Sequence, residues 1–134
     1  MLNLPIPPLA RDSEYRLLFE HVVCPVAEIF RPELVIVAAG FDAHWRDPQG
    51  GMLLSTCGLV AIMGALCDLA RAHCGGRIAY VLEGGYDLDA LGECVAGTLG
   101  VLAGAAWAWP DGDAPRPEIW GLVRRAQNEL AFDR

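Results

Sequence analysis

The sequence of 134 residues has few basic residues, few histidines and no paired cysteines, and these shortages exclude several classes of function. Ten Lys and Arg against seventeen Asp and Glu give a formal net charge of −7. A protein of that charge repels phosphate, so nucleic acid and anionic membranes are excluded as main partners. The five cysteines are odd in number and form no C-x-x-C pair. This pattern is typical of reduced, buried thiols and excludes a disulfide framework or a zinc finger.

Two further absences concern the location of the protein. No window reaches the roughly 18 charge-free apolar residues that a membrane span requires. The first eight residues contain three prolines and no basic residue, which differs from a secretory signal. The reduced cysteines lead us to expect a cytoplasmic protein. With 54% apolar residues, the chain is long enough for one domain with a core and too short for two.

The strongest pattern in the sequence is a strand, helix, strand unit. The apolar run 34–39 predicts a strand buried on both faces, 57–73 predicts a helix, and 77–82 predicts a second strand. Strands joined by a helical crossover are parallel. Polar turns follow both strands and contain Asp42 and Tyr86. We expect these two residues at the same edge of the sheet, where ligands collect in open α/β folds.

The rest of the chain divides into three parts. Residues 1–11 are predicted to form an extended segment interrupted by prolines, residues 12–104 an α/β core, and residues 105–134 a loop followed by a terminal helix. The first helix is expected to start at a cap formed by Asp12 or Ser13, with Glu14 facing away from the core. Pro25 should kink or split that helix. A further helix is predicted over 88–103.

A sheet of only two parallel strands leaves backbone edges unpaired. Parallel strands normally lie inside larger sheets that helices cover on both faces. The sequence therefore predicts part of a larger α/β domain, with all 134 residues forming its C-terminal portion.

The residue types at the sheet edge suit more than one role. An aspartate is a hard oxygen ligand for a cation such as zinc, and a tyrosine hydroxyl can donate a hydrogen bond to a developing oxyanion. On spacing alone, Asp42 could equally cap the following turn while Tyr86 is an aromatic residue at the rim. A third interpretation makes Asp42 a phosphotransfer nucleophile, although no phosphate loop or second adjacent carboxylate accompanies it.

Several motifs in order along the chain resemble the histone deacetylase superfamily, especially its class II-like bacterial branch with acetylpolyamine amidohydrolases and acetoin-utilisation-type proteins. The motifs are Asn3-Leu4-Pro5-Ile6-Pro7, Asp12-Ser13-Glu14-Tyr15, Arg31-Pro32-Glu33-Leu34, Ala39-Gly40-Phe41-Asp42-Ala43-His44, Asp47-Pro48-x-Gly50-Gly51 and Leu82-Glu83-Gly84-Gly85-Tyr86-Asp87-Leu88. The resemblance implies a fragment of the three-layer α/β/α arginase/deacetylase-type fold. It also implies a zinc-dependent deacetylase acting on acetyl-lysine or an acetylated small amine.

The resemblance assigns roles to five residues. Asp42 would be the last of three zinc ligands, and Tyr86 would hydrogen-bond the substrate carbonyl and stabilise the oxyanion. Gly84 and Gly85 would let the backbone approach the acyl-lysine channel closely. Gln49 occupies a position at the channel mouth where the family commonly has an apolar residue, so a polar acetylated amine such as an acetylpolyamine is a candidate substrate.

The family's other two zinc ligands and its His-His pair have no counterpart in this sequence. The three histidines are His21, His44 and His73, and none is adjacent to another. His44 belongs to Asp42-Ala43-His44, but the flanking residues match the later family motif, which makes it a loop residue. We expect a truncated or split deacetylase that is inactive alone and is completed by a chain supplying the N-terminal half. The alternative is a non-catalytic remnant or interaction subunit.

Overall fold

The computed structural model describes residues 1–132, which form helices around a two-stranded parallel sheet. The order is α1 (Asp12–Leu18), a π-helical turn (Phe19–Val23), α2 (Cys24–Phe30), β1 (Val35–Ala39), α3 (Thr56–Cys74), β2 (Ile78–Leu82), α4 (Leu88–Leu102) and α5 (Pro117–Phe132). Val35 lies opposite Ile78 and Ala39 lies opposite Leu82 in the parallel register. The predicted strand, helix, strand unit is therefore present, with both strands ending at the same edge.

Helix α3 is the central helix of the chain. Ser55 caps it, since its hydroxyl oxygen accepts a hydrogen bond from the Gly58 N–H at 3.0 Å. Gly75 ends it in the left-handed region with φ of 60°. By length and composition alone α3 could cross a membrane, but half of its apolar window is buried inside the molecule. Its buried face packs against α4 and the sheet, as expected of a core helix.

The sheet is covered on one face only. Residues that alternate toward α3, such as Val37 and Tyr80, pack in the core cluster with Phe41 and Leu59. On the opposite face Ile36 is 67% exposed and Val81 is 51% exposed. The prediction of strands buried on both faces is therefore wrong for the described part of the chain. Both faces of the strands are apolar, but residues 1–132 provide no element that covers the second face.

Helix α4 also leaves apolar surface uncovered. Its buried side is formed by Ala90, Cys94, Thr98 and Val101, whereas Leu99 and Leu102 are exposed. These two leucines line an open apolar groove of about 270 Å³ beside Tyr80 and Leu82 of β2. The groove lies between α4 and the sheet face that carries Ala39 and Tyr80.

The first helix is divided near Pro25, as predicted, and differs from its prediction in two other details. The π-helical turn separates α1 from α2 just before the proline, because the ring leaves no room for a normal α-helical turn. Asp12 is not the cap, since its carboxylate accepts hydrogen bonds from the Ser55 N–H at 2.9 Å and hydroxyl at 2.7 Å. Glu14 does not face away but is 2% exposed.

Glu14 is buried because it joins three segments. Its carboxylate accepts a hydrogen bond from the Arg11 N–H at 2.7 Å and pairs with the guanidinium of Arg116, just before α5. Burial alone would raise the pKa of Glu14, but the hydrogen bonds and charge of Arg116 outweigh it and lower that pKa. Helix α1, the π-helical turn and α5 also share a second core cluster, formed by Leu17, Leu18, Val22, Ile119, Leu122, Val123 and Ala126.

Candidate active site at the carboxyl edge of the sheet

The two polar turns that follow the strands lie side by side. Backbone hydrogen bonds continue the parallel pairing past the ends of the strands: the Glu83 N–H donates to the Ala39 oxygen at 3.1 Å, and the Phe41 N–H donates to the Gly84 oxygen at 2.8 Å. This pairing places Asp42 beside the Glu83–Asp87 turn. The predicted convergence of the two turns at one sheet edge is thus observed.

The carboxylate of Asp42 lies directly against glycine backbone. A Cβ atom built on Gly84 would lie 2.6 Å from Oδ2 of Asp42, and one built on Gly40 would lie 3.0 Å from Oδ1. Both distances are shorter than an ordinary van der Waals contact, so a side chain at Gly84 would displace the carboxylate. Gly84, predicted to line a channel, therefore has a second and local reason to be glycine: it makes room for Asp42.

Tyr86 projects from a turn that is fixed at both ends. Gly85 has φ of 134°, a conformation that side chains rarely tolerate. Asp87 caps α4, since its carboxylate accepts a hydrogen bond from the Ala90 N–H at 2.7 Å. Tyr86 is 51% exposed, so the residue is not enclosed by the described part of the chain. Gln49, the other predicted channel residue, is also exposed.

Asp47 connects the loop after Asp42 to the tyrosine turn. Its carboxylate is 8% exposed and accepts hydrogen bonds from four backbone N–H groups. Oδ1 receives those of Gln49 at 2.9 Å and Gly50 at 3.1 Å, and Oδ2 receives those of Tyr86 at 2.6 Å and Asp87 at 3.3 Å. Burial acts to raise the pKa of Asp47, but the four donors lower it overall, so the group is ionised at neutral pH.

His44 is held in a buried network and is not available to a metal. It is 2% exposed, and its Nδ1 accepts a hydrogen bond from the Arg46 N–H at 3.1 Å. Nε2 therefore carries the proton and faces the Thr56 hydroxyl at 3.1 Å, which in turn donates to Glu93 at 2.8 Å. Burial and the charge of Arg46 lower the pKa of His44, so the ring is neutral. This agrees with its interpretation as a loop residue.

Within residues 1–132, Asp42 is the only predicted metal ligand at this edge, and it does not form a complete site. Between residues 1 and 132 no group of three or more His, Cys, Asp or Glu side chains comes together to hold a metal ion. Catalytic zinc sites use about three protein ligands. Residues 1–132 alone therefore do not fit a catalytic zinc ion, and the role of Asp42 as a zinc ligand stays a prediction.

Sequence reasoning singled out Asp42, Tyr86, Gln49, Gly84 and Gly85 and did not give Asp47 or Tyr15 a role. Burial and the negative charge of Asp42 raise the pKa of Tyr15, so its phenol stays protonated beside the candidate ligand. Both residues belong to the motifs Asp12-Ser13-Glu14-Tyr15 and Asp47-Pro48-x-Gly50-Gly51. The sequence motifs indicated that these two segments belong to the site. The contacts that Asp47 and Tyr15 make there follow only from the folded structure.

The family model for the histone deacetylase domain matches residues 1–102. The chain belongs to the histone deacetylase family. It is 38% identical over 103 residues to the chloroplastic histone deacetylase 10 of Oryza sativa subsp. japonica, covering 77% of this chain and 23% of that protein. It is 41% identical over 119 residues to a polyamine deacetylase of Danio rerio, covering 89% of this chain and 16% of that protein.

The solved structures agree with the family. The crystal structure of the HDA15 HD domain superposes on 98% of this chain with a TM-score of 0.84 and 33% sequence identity, and the match covers 36% of that chain. The predicted relationship to the deacetylase fold is therefore confirmed. This histone deacetylase family chain spans only a minor part of the length of the relatives it matches.

Proposed function

We propose that this chain forms one wall of a zinc-dependent deacetylase site that hydrolyses the acetamide of acetyl-lysine or of an acetylated small amine. The observation that carries the proposal is the contact between the Asp42 carboxylate and Gly84, two residues before the exposed Tyr86. This contact brings a candidate metal ligand and a candidate hydrogen-bond donor to one edge of the sheet, in a chain whose relatives are deacetylases.

Each residue has one role in this proposal. Asp42 would be one of the residues that hold a zinc ion, and the chemistry that such an ion would supply is polarisation of the acetamide carbonyl and of the attacking water. The Tyr86 hydroxyl donates a hydrogen bond to the carbonyl oxygen as negative charge develops on it. Gly84 and Gly85 keep the backbone of the substrate channel free of side chains, and Gln49 contacts the substrate at its mouth.

The site is completed outside residues 1–132, by a segment or a chain that supplies the remaining zinc ligands and the general base. The uncovered sheet face around Ile36 and Val81 and the groove beside Leu99 and Leu102 support this part of the proposal. The same uncovered surface favours a second candidate, in which the chain is a non-catalytic remnant or interaction subunit of a deacetylase.

The first test is made on the chain alone. We expect the purified chain to contain no stoichiometric zinc and to leave an acetyl-lysine peptide unchanged, because it supplies a single ligand. Stoichiometric zinc together with deacetylation of the peptide would contradict the proposed incompleteness of the site.

The second test restores the missing half. In a chimaera, this chain replaces the segment of the Danio rerio polyamine deacetylase with which it aligns. We expect the chimaera to bind zinc and deacetylate, Asp42→Ala to abolish both, and Tyr86→Phe to lower kcat by about 10²- to 10³-fold while zinc stays bound. If the chimaera is folded, as shown by cooperative unfolding, and yet inactive, the result would favour the non-catalytic remnant or interaction subunit.

The substrate is tested in the same chimaera through Gln49. A neutral glutamine attracts a cation weakly, but it leaves a polar surface where a leucine would leave an apolar one. We expect Gln49→Leu to shift the ratio of kcat/KM values away from an acetylpolyamine and toward an acetyl-lysine peptide. An unchanged ratio would remove Gln49 from the substrate channel.

A further inference from the structure

The carboxylate of Asp47 makes two kinds of contact that serve different purposes. The hydrogen bonds from Gln49 and Gly50 to Oδ1 close the local turn of its own loop, as an aspartate commonly does. Those bonds occupy one oxygen only. Oδ2 is directed at the N–H groups of Tyr86 and Asp87, which lie 39 and 40 positions further along the chain. The local turn does not require this second pair.

The two hydrogen bonds to Oδ2 hold the part of the turn from which the Tyr86 side chain projects. Two backbone hydrogen bonds fix the start of the turn at Glu83 and Gly84, and the cap on Ala90 fixes its end at Asp87. Between them, Gly85 provides no side chain that could pack. The bond from the Tyr86 N–H to Asp47, at 2.6 Å, is therefore what holds the Cα atom from which the half-exposed phenol projects.

We propose that Asp47 is a positioning residue for Tyr86: its buried carboxylate fixes the tyrosine turn against the loop that begins at Asp42. The catalytic meaning of this inference rests on the proposed function, in which Tyr86 donates to the substrate oxygen. An ionised acceptor suits the task because charge-assisted hydrogen bonds are shorter and stronger than neutral ones. Asp47 thereby fixes the position of Tyr86 relative to Asp42, although it binds the Tyr86 backbone N–H and not the phenol hydroxyl.

The contact is tested in the full chain without any activity. Asp47→Ala removes both acceptor oxygens, and we expect amide hydrogen exchange at Tyr86 and Asp87 to accelerate about tenfold or more, since bonds to charged groups are among the stronger ones. The Glu83 amide, which donates to Ala39, should keep its protection. Asp89→Ala is the matched control, because it removes an exposed carboxylate from the first turn of α4. Unchanged exchange at Tyr86 and Asp87 in Asp47→Ala would overturn the proposal.

A measurement on the unmodified chain covers the case in which Asp47→Ala does not fold. The amide proton shifts of Tyr86 and Gln49 should move together in an acid titration with one midpoint, because both groups donate to the same carboxylate. The other charged groups nearby are Asp42, which lies against Gly84, and Arg46 with its partners Asp87 and Glu93. Independent midpoints, or no movement at Tyr86, would overturn the proposal.

The effect on catalysis is measured in the deacetylase chimaera. We expect Asp47→Ala to lower kcat about tenfold to a hundredfold with KM and zinc content unchanged, because a displaced donor fails mainly in the transition state. An unchanged kcat in an active chimaera would overturn the positioning role. An inactive unmodified chimaera would instead contradict the proposed function, while the exchange data would still decide the contact itself.

Discussion

The close approach of Gly50 to the backbone of Asp42 makes the sharpest prediction about the site loop. A Cβ atom built on Gly50 would lie 1.6 Å from the Asp42 carbonyl oxygen and 2.8 Å from the carbonyl carbon. The obstacle is backbone, so it cannot rotate away. The loop cannot shift freely either, because the Gly50 N–H donates to buried Asp47. We expect Gly50→Ala to lower the free energy of unfolding by about 2 to 3 kcal/mol, at the upper end of overpacking effects.

The neighbouring glycine provides a matched control. A Cβ atom built on Gly51 would meet no atom within 4 Å, so Gly51→Ala should change stability by less than about 0.5 kcal/mol. In urea denaturation the first substitution should lower the midpoint by about 1 to 2 M and the second should leave it nearly unchanged. Equal midpoints for the two variants would refute the placement of this loop over Asp42.

Three further predictions concern other parts of the structure. Gly84→Ala should lower the free energy of unfolding by about 1 to 2 kcal/mol, because the added methyl group clashes with the Asp42 carboxylate. In a chain that already carries Asp42→Ala, the same substitution should lower it by less than about 0.5 kcal/mol. Additive effects of the two substitutions would contradict the contact. The pKa of Glu14 is lowered in the folded chain, so the unfolded chain binds more protons in the acid range and stability falls as the pH falls through that pKa. Between about pH 6 and pH 3 the native chain should therefore lose more stability than Glu14→Gln, as measured by urea midpoints; equal losses would show that the pair with Arg116 does not form. Ile36→Thr should change the stability of this chain by less than about 0.5 kcal/mol, because Ile36 is exposed. In the deacetylase chimaera, where the proposal expects this face to be covered, it should lower stability by more than about 1 kcal/mol. An equal effect on both, measured by denaturation, would mean that the face stays uncovered.

The elements of this fold could be predicted because their signals are local. The apolar runs before Gly40 and Glu83 mark the strands, Ser55 and Gly75 delimit α3, and parallel pairing then requires the polar turns to meet at one edge. The burial of the sheet could not be predicted from this chain. Apolar side chains on both faces of β1 predicted burial on both sides, whereas the described residues cover one face only.

The contacts inside the candidate site lay mostly beyond sequence reasoning because they join distant segments. The bond between Asp47 and Tyr86 spans 39 positions and leaves no periodic pattern. Asp12 was expected to cap its own helix but binds Ser55, 43 positions away. Glu14 was expected on the surface because charged residues usually lie there, and its burial follows from a partner at Arg116. Such pairings follow from the fold and cannot be read from spacing.

The most direct test of the account is the rate of deacetylation by the chimaera with and without the Tyr86 hydroxyl. Turnover of an acetylated amine is compared between the chimaera and its Tyr86→Phe variant, with bound zinc measured in both. The account predicts an active chimaera and a variant about 10²- to 10³-fold slower in kcat at equal zinc content. A variant that keeps its rate, or a folded chimaera without activity, would contradict the claim that this chain provides one wall of a deacetylase site.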